Sequence, residues 1–394
     1  MSGLDGARVV LGVTGGIAAY KAVEVSRRLV DAGAHVVPVL TEGAEHFVGR
    51  TTFDALASEK VQTSLWDESS PIPHTMLGQT ADLIIVAPAT ARLLADYRIG
   101  RSDDLLTATL IATRAPVLLA PAMHTEMWEH PAVQENLDVL AERGVNIVPA
   151  EAGRLAGGDV GFGRLAEPRT IAAHAERVLS SGDLTGRHVV ITAGGTSEPV
   201  DAVRVITNRS SGKQGYALAE AAWARGGEVT LISTVDREAP VGVSVVSVET
   251  VSQMQDAVMA VADADVIIMA AAISDFRPKD PAANKIKKDS GAVPAIELEK
   301  THDFLVDLGT RKPEGQILVG FAAETDDVIA NAKSKLERKQ LDMIVANDVS
   351  APDTGFAHDT NEVTILVSGG AQIDVPLSTK RVVADAIFDA VVRV

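Results

Sequence analysis

The chain has 394 residues, of which 46% are hydrophobic, so it is long enough for two globular domains and too apolar to be disordered. Its formal net charge of -17 argues against a nucleic-acid binder or a binder of anionic membranes, and we expect neither kind of partner. The absence of cysteine excludes disulfides, thiolate nucleophiles and cysteine-ligated metals.

The N-terminal segment lacks the basic region followed by an apolar region that marks a signal peptide. No apolar run reaches the length of about 18 residues that a membrane helix needs. We therefore expect a cytoplasmic protein that does not enter a membrane.

Two halves of the chain repeat one order of elements. In the first half, residues 8–13 predict a buried strand, which is followed by a glycine turn, a helix over residues 17–32 and a strand over residues 35–40. In the second half, a strand at 188–192 and a second glycine turn precede a helix at 216–225 and a strand at 228–233. Apolar strands also follow helices at residues 81–87 and 264–270.

Near-continuous Val, Ile and Leu runs that alternate with amphipathic helices are typical of parallel sheets covered on both faces. The predicted class is α/β, with two doubly wound parallel-sheet domains: a flavodoxin-like domain at residues 1–182 and a Rossmann-like domain at residues 183–394. Ligands of such sheets gather at the carboxyl ends of the strands.

The first glycine turn, with Gly15, Gly16 and Ile17, suits a phosphate at a helix N-terminus. It lacks the full Gly-x-Gly-x-x-Gly fingerprint, and Thr41 closes the second strand where a dinucleotide site would have an acid. The turn therefore favours a mononucleotide, although a plain strand-to-helix connection is the alternative.

His74 lies in a proline-stiffened loop at residues 70–74, ahead of the strand that ends near Ala87 and Thr90. The small residues at that strand end could lie against a planar ring, while a single loop histidine is often structural.

Residues 121–128 follow another apolar strand and include Met123, His124 and Glu126. Pro121 is predicted to open a helix that aims His124 and Glu126 at the crevice, although Met123 and Trp128 could be core residues. Residues 153–164 are rich in glycine and bordered by arginines, a composition typical of a flexible flap.

The loop between residues 191 and 216 is too long to be an ordinary connection inside a compact domain. Ser210, Ser211 and Gly212 precede Lys213 and a predicted helix, which suits an anion, whereas the spacing does not match a Walker A loop. A solvated surface loop is the alternative.

A basic run occupies residues 284–288, and Lys335 and Lys339 share one face of a helix predicted at 330–339. Both lysines could reach a triphosphate, although a solvated helix face is the alternative. The preceding strand ends at residues 320–325, where Phe321 suits a pyrimidine base.

The motifs of the first half, VTGGIAAYK, PIPH, APATA, PAMHTEMW and LAGGDVGFGR, resemble those of the flavin-dependent cysteine decarboxylases. The motifs of the second half, AGGTSEPVDAVRVITNRSSGKQG, AAAISDFRP, NKIKK and GFAAET, resemble those of the phosphopantothenate–cysteine ligases. Both sets in this order resemble the bifunctional family of bacterial coenzyme A synthesis, and the match covers nearly the whole chain.

For the first half, the resemblance implies FMN as cofactor and His74 as an active-site residue, with no metal. FMN would accept a hydride from the cysteine moiety of phosphopantothenoylcysteine, carbon dioxide would leave, and return of the hydride would give 4'-phosphopantetheine. The matching cofactor positions are Gly15, Gly16, Ile17, Thr41, Ala87, Thr90 and Met123.

Two residues depart from this family pattern. His124 stands where the family has an asparagine that meets the substrate carboxylate, and a histidine can still donate that hydrogen bond. Gly157 stands where the flap commonly carries a proton-donating cysteine. Candidates for the missing donor are Asp159, His124 and water.

For the second half, the resemblance implies CTP with Mg²⁺. The carboxylate of 4'-phosphopantothenate would attack the α-phosphate to form an acyl-cytidylate, from which the amine of cysteine would displace CMP. Asn208 matches the residue that handles this intermediate, Lys285 the lysine that forms it, and Arg204 a contact to the substrate phosphate or the intermediate. Asp275 is the candidate for the metal and ribose region. The remaining substrate and CTP candidates are Ser210, Ser211, Gly212, Phe276, Phe321, Lys335 and Lys339.

The resemblance also implies a homo-oligomer with trimeric flavin domains and dimeric ligase domains, which together allow a dodecamer.

Two alternative functions remain open. A tandem of short-chain NAD(P) dehydrogenases would need a full glycine fingerprint and a Tyr-x-x-x-Lys pair, and neither half has this set. The other alternative is an active ligase whose flavin domain binds FMN with weak or no decarboxylation.

Overall fold

A computed structural model describes residues 3–66, 71–287, 295–324, 327–348 and 358–394. The chain divides into two compact units, Met1–Ser181 and Gly182–Val394. No helix in the described ranges is long and apolar enough to cross a membrane.

The first unit is a five-stranded sheet between two layers of helices. Its elements are β1 (Arg8–Val13), α1 (Ala19–Asp31), β2 (His35–Leu40), a short 3-10 turn (Ala44–His46), α2 (Arg50–Leu56), α3 (Pro73–Thr80), β3 (Leu83–Ala89), α4 (Ala91–Ile99), α5 (Leu105–Ala112), β4 (Val117–Pro121), α6 (Thr125–Trp128), α7 (Pro131–Glu142), β5 (Asn146–Ile147), β6 (Glu151–Arg154), β7 (Val160–Arg164) and α8 (Pro168–Leu179). The strand order is β2-β1-β3-β4-β5, and all neighbours are parallel.

Successive residues of each strand pack into two separate cores, one on each face of the sheet. Val9 and Leu11 pack on one face with residues of α1 and α8, whereas Val10 and Ile84 pack on the other face with residues of α4 and α5. Because both faces of each strand are buried, the strands read as continuous apolar runs. The doubly wound prediction is confirmed for this unit.

The second unit has a larger, mixed sheet. Its elements are β8 (His188–Ala193), β9 (Ser197–Pro199), β10 (Val205–Thr207), α9 (Lys213–Ala224), β11 (Glu228–Ser233), β12 (Ser244–Ser247), α10 (Val251–Met259), β13 (Val266–Met269), β14 (Phe276–Pro278), β15 (Leu298–Lys300), α11 (Phe304–Arg311), β16 (Ile317–Glu324), α12 (Val328–Arg338), β17 (Met343–Asp348), β18 (Thr360–Val367), β19 (Gln372–Thr379) and α13 (Lys380–Val391). The strand order is β12-β11-β8-β13-β16-β17-β18-β19.

Six strands of this sheet are parallel, as predicted, but β18 and β19 extend it as an antiparallel hairpin. The helices α10, α11 and α12 contribute residues to a core on one face, and α9 packs against β8, β11 and α13. The fold class is thus confirmed for both units, and the purely parallel second sheet is corrected to a mixed one.

Several local predictions differ from the structure. Pro121 ends β4 and does not open a helix, which begins only at Thr125 after His124 has served as its N-cap. The long loop after β8 contains the small hairpin β9–β10, and α9 begins at Lys213. The glycine-rich flap forms the antiparallel hairpin β6–β7.

Candidate active sites

The carboxyl ends of β1, β3 and β4 surround a cavity of about 560 Å³ in the first unit. Five predicted cofactor residues line it, together with His124: Gly15, Gly16, Ile17, Thr90 and Met123. Thr41 and Ala87 do not line it. Ala87 is fully buried, and the hydroxyl of Thr41 donates to the carbonyl of Val13 at 3.3 Å, so it ties the ends of β1 and β2 together.

The cavity offers an anion site at one wall and apolar contacts at others. The N-terminus of α1 has no side-chain cap, and the positive end of its dipole favours a phosphate there, although the N–H groups of Ala19 and Lys21 already donate to the carbonyls of Gly16 and Ala18 at 2.9 and 3.0 Å. Thr14 donates to the carbonyl of Pro88 at 2.7 Å and so holds the β1 turn against the end of β3. Apolar walls from Ile17, Met127 and Leu155 suit a ring system, and the volume is that of a small-molecule site. These residues fit a phosphorylated planar cofactor.

His124 lies at the rim between two carboxylates. Its Nδ1 hydrogen-bonds to Glu126, and its Nε2 lies 3.4 Å from Oδ2 of Asp159. The hydrogen bond to Glu126 and the charges of Glu126 and Asp159 raise the pKa of the imidazole. The raised pKa extends the range of pH over which the imidazole of His124 is protonated and positively charged.

The hairpin β6–β7 is held closely against the segment that carries His124. Met123 N donates to the carbonyl of Gly163 at 2.9 Å, and the hydroxyl of Thr125 donates to the carbonyl of Phe162 at 2.9 Å. A Cβ at Gly157 would lie 3.2 Å from Nε2 of His124. The position that lacks the expected cysteine is therefore adjacent to the imidazole.

His74 does not line this cavity. It follows Pro73 in the first turn of α3, and its buried Nδ1 has no hydrogen-bond partner among the described residues. The structure therefore brings His124 and Asp159 together but leaves His74 apart from them within one chain. Ser70, the first residue of the predicted loop, lies outside the described residues.

A second cavity, of about 110 Å³, lies in the second unit. The predicted residues Ser210, Ser211, Gly212 and Phe321 line it. Among the further lining residues, four polar ones were not predicted from the sequence: Gln214, Asn347, Asn361 and Lys380. Asn347 could have been found, because it follows an apolar run at the carboxyl end of the parallel strand β17.

Two of the predicted site residues in the second unit, Asn208 and Arg204, lie in the loop after β8 and are held there by hydrogen bonds and an ion pair. Asn208 donates through Nδ2 to the carbonyls of Ala272 and Ile273 at 3.3 and 3.1 Å. Nη1 of Arg204 lies 3.2 Å from Oδ2 of Asp201, and the same oxygen accepts from the backbone N–H of Ile286 at 3.1 Å.

Nη2 of Arg204 donates to the carbonyl of Ile286 at 3.2 Å. These bonds hold Lys285, the neighbour of Ile286, beside the loop of Arg204. Although burial alone would raise the pKa of Asp201, backbone N–H groups led by that of Val203 lower it, so Asp201 stays ionised.

The remaining predicted CTP residues do not line the 110 Å³ cavity. Asp275 and Phe276 are exposed at the start of β14. Lys335 lies in α12, and Nζ of Lys339 lies 2.8 Å from Oδ2 of Asp303. No group of three or more His, Cys, Asp or Glu that could hold a metal occurs in the described ranges. Lys288 and Thr325, which belong to predicted motifs, lie outside these ranges.

Comparisons with known proteins cover both units. Residues 2–180 match the family model described as Flavoprotein, and residues 184–394 match the model described as DNA/pantothenate metabolism flavoprotein C-terminal domain. Two relatives named "Coenzyme A biosynthesis bifunctional protein CoaBC" are similar over almost their full length. The one from Mycobacterium tuberculosis is 47% identical, covering 98% of this chain and 96% of the relative. The one from Bacillus subtilis is 46% identical, covering 98% and 97%.

A solved structure of the C-terminal domain of such a protein is 40% identical and covers 54% of this chain and 97% of that domain, with a TM-score of 0.47.

Proposed function

The chain belongs to the family of coenzyme A biosynthesis bifunctional proteins, and from this membership we propose how its two units divide the two reactions. It is a bifunctional enzyme with phosphopantothenate–cysteine ligase and phosphopantothenoylcysteine decarboxylase activities. Residues 183–394 carry the ligation, and residues 1–182 carry the decarboxylation that gives 4'-phosphopantetheine. The observation that supports this division most is the pair of family models, a flavoprotein domain followed by a pantothenate-metabolism domain.

In the ligase unit, CTP is the nucleotide. The carboxylate of 4'-phosphopantothenate attacks the α-phosphate, pyrophosphate leaves, and the cysteine amine then displaces CMP from the acyl-cytidylate. Mg²⁺, when bound, neutralises phosphate charge, and Asp275 is the carboxylate that would hold it together with substrate phosphates. Lys285 stabilises the charge that develops at the α-phosphate, Asn208 orients the intermediate, and Phe321 contacts the cytosine base.

Lys335 and Lys339 bind the triphosphate. They lie one helical turn apart on α12 and its end, where the backbone N–H of Lys339 donates to the carbonyl of Lys335 at 3.0 Å.

In the flavin unit, the N-terminus of α1 would hold the phosphate of FMN, and the strand ends around Thr90 and Met123 would hold its ring. FMN, when bound, supplies the hydride acceptor and donor that the decarboxylation needs. His124, when protonated between Glu126 and Asp159, binds the substrate carboxylate and carries on Nε2 the proton that the product requires. The β6–β7 hairpin covers this site and limits access of water.

The decarboxylase unit acts as an oligomer. His74 lies apart from the cavity of its own chain, and the cavity residues Ile17, Tyr20 and Met127 expose large apolar surfaces. A neighbouring copy that covers this rim and brings His74 to it would complete the site. We propose trimeric flavin units and dimeric ligase units, which together allow a dodecamer.

The alternative of a ligase with an inactive flavin unit is not favoured, because the relatives that match nearly the full chain are named as bifunctional. The substrates are small molecules, and the cytoplasmic location remains a prediction.

The test begins with the absorbance spectrum of the purified protein, followed by incubation with 4'-phosphopantothenate, cysteine, CTP and Mg²⁺. We expect a yellow protein that releases pyrophosphate and yields 4'-phosphopantetheine. A yellow protein that stops at phosphopantothenoylcysteine would contradict the role given to the first unit. A protein that releases no pyrophosphate would contradict the role given to the second.

A further inference from the structure

A side-chain hydrogen bond connects the β6–β7 hairpin to the segment of His124. The hydroxyl of Thr125 donates to the carbonyl of Phe162 at 2.9 Å. The neighbouring Gly161 permits this bond, because a Cβ there would lie only 2.2 Å from the hydroxyl oxygen of Thr125. The hairpin is therefore attached through a group that a single substitution can remove.

The hairpin also carries Asp159, the carboxylate beside Nε2 of His124. The backbone N–H of Leu155 donates to the carbonyl of Asp159 at 2.8 Å, and Gly158, with a φ of +97°, lies in the turn between the two strands. This turn places Oδ2 of Asp159 3.4 Å from Nε2 of His124. Because the side chain of Asp159 is 72% exposed, little packing holds it there, and its position depends on where the hairpin is attached.

One step of the decarboxylase reaction depends on the distance between these two groups. After carbon dioxide has left, the enethiol takes up a proton at one carbon of its double bond. The carbon that bears sulfur takes up a hydride from the reduced flavin, and the saturated thiol results. Asp159 stabilises the protonated imidazole of His124 that delivers this proton, and its exposed carboxylate can pass a new proton from water to Nε2.

We propose that Thr125 is a positioning residue of the decarboxylase, whose hydroxyl holds the hairpin where Asp159 meets Nε2 of His124. This inference rests on the role proposed above for His124 in returning the proton. It gives the hydrogen bond between Thr125 and Phe162 a place in the reaction, although neither residue need touch the substrate.

The charged groups around His124 differ in whether they move with the hairpin. Glu126 belongs to the same segment as His124 and pairs with Nδ1, whereas Asp159 belongs to the hairpin and lies at Nε2. The basic residues that line the same cavity are Lys21, Arg154 and Arg164. The two carboxylates are the groups that raise the pKa of His124. Release of the hairpin therefore removes the contribution of Asp159 and leaves that of Glu126 in place.

The test compares Thr125→Val, which keeps the shape of the side chain without the hydroxyl, with Thr125→Ser, which keeps the hydroxyl. Phosphopantothenoylcysteine is supplied directly to the full-length protein, so ligation is bypassed. In stopped-flow experiments, the flavin absorbance of the valine variant should fall at the wild-type rate as the substrate is oxidised. It should recover about 3-fold to 10-fold more slowly, because one hydrogen bond is lost before proton return. The serine variant should recover at the wild-type rate.

Two further measurements separate positioning from a general loosening of the fold. In NMR titrations, Thr125→Val should lower the pKa of His124 to the same extent as Asp159→Asn does. The double variant Thr125→Val/Asp159→Asn should recover its flavin absorbance no more slowly than Asp159→Asn alone, because Thr125 acts through Asp159.

Two outcomes would overturn the positioning role alone. In the first, Thr125→Val slows recovery as strongly in the Asp159→Asn background as in the wild-type protein. In the second, the serine variant recovers as slowly as the valine variant. A wild-type protein that binds flavin but shows no loss of flavin absorbance with phosphopantothenoylcysteine would instead overturn the proposed decarboxylase reaction, and this inference with it.

Discussion

The charge of the His124 imidazole depends on the two carboxylates on either side of it. Because its pKa is raised in the folded protein, its stabilising contribution is complete below the unfolded value near 6.5 and is lost as pH rises through the folded value. Over the same interval of pH, His124 loses the positive charge that it contributes to the rim of the first cavity.

Glu126→Gln removes the hydrogen bond that contributes most to this shift. We expect the pKa of His124 to fall toward its ordinary value. NMR titration of the imidazole signals measures this change. His130→Asn helps to assign the spectrum and preserves the helix cap that His130 provides at α7. An unchanged pKa in Glu126→Gln would show that Asp159 or another group dominates.

Lys285→Gln should abolish formation of the acyl-cytidylate, because the charge developing at the α-phosphate loses the cation that we assign to it. A fall of about 100-fold or more in pyrophosphate release is expected, with the flavin spectrum unchanged. Lys279→Gln, at an exposed lysine 4.0 Å from Glu297, is the matched control. Normal pyrophosphate release by the Lys285 variant would refute the assignment.

His74→Asn should preserve ligation and stop release of carbon dioxide, measured with carboxyl-labelled cysteine. Asparagine keeps a polar group near the buried position of Nδ1, so the fold should survive. If carbon dioxide is still released at the wild-type rate, His74 is a structural residue.

At the scale of single residues, the sequence predicted those cavity-lining positions that lie in glycine turns or at strand ends. Gly16, Thr90 and Ser211 are examples. It could not predict Lys380 or Asn361, because their burial depends on the packing of α13 and β18 against the rest of the second unit. From the sequence alone, a polar residue in an amphipathic segment is expected to be exposed to solvent. Its burial becomes evident only when its neighbours in the folded structure are known.

Among the elements, the β6–β7 hairpin depends on Gly163. Its φ is +116°, and a Cβ there would lie 2.4 Å from the carbonyl oxygen of Met123 in the cavity wall. Alanine at this position must displace either the hairpin or the wall.

Gly163→Ala should therefore lose bound flavin and lower the melting temperature. Gly158→Ala is the control, because Gly158 also has a positive φ but a Cβ there meets nothing within 4 Å. Both variants carry backbone strain of roughly 1–2 kcal/mol, and only the first carries the collision. Equal flavin retention in the two variants would show that the hairpin does not shape the cofactor site.

The buried strands were the most predictable elements. Arg8–Val13, His35–Leu40 and Glu228–Ser233 have the predicted bounds, because strands buried on both faces read as uninterrupted apolar runs. The predicted starts of helices were less accurate. Glycines precede both α1 and α9, so the sequence does not show clearly at which residue the first turn of each helix begins. The β18–β19 hairpin was missed, although Gly369 and Gly370 between two half-buried strands are a turn signal.

For the whole molecule, the separate cores predict that each unit folds alone. A polypeptide of residues 1–181 should be yellow, and one of residues 182–394 should release pyrophosphate with CTP. Mixing the two should restore 4'-phosphopantetheine production. Failure of either polypeptide to show its own property while the intact chain is active would mean that the units depend on each other.

The place of α13 after the last strand of the ligase sheet also has a consequence for folding during synthesis on the ribosome. The flavin unit is complete in the nascent chain while the ligase sheet is still being translated, and at about 5–20 residues per second the remainder takes on the order of 10–40 s. Lys380 and α13 emerge after every strand of the ligase sheet. Until then, the face of α9 that packs against α13 in the folded unit is uncovered.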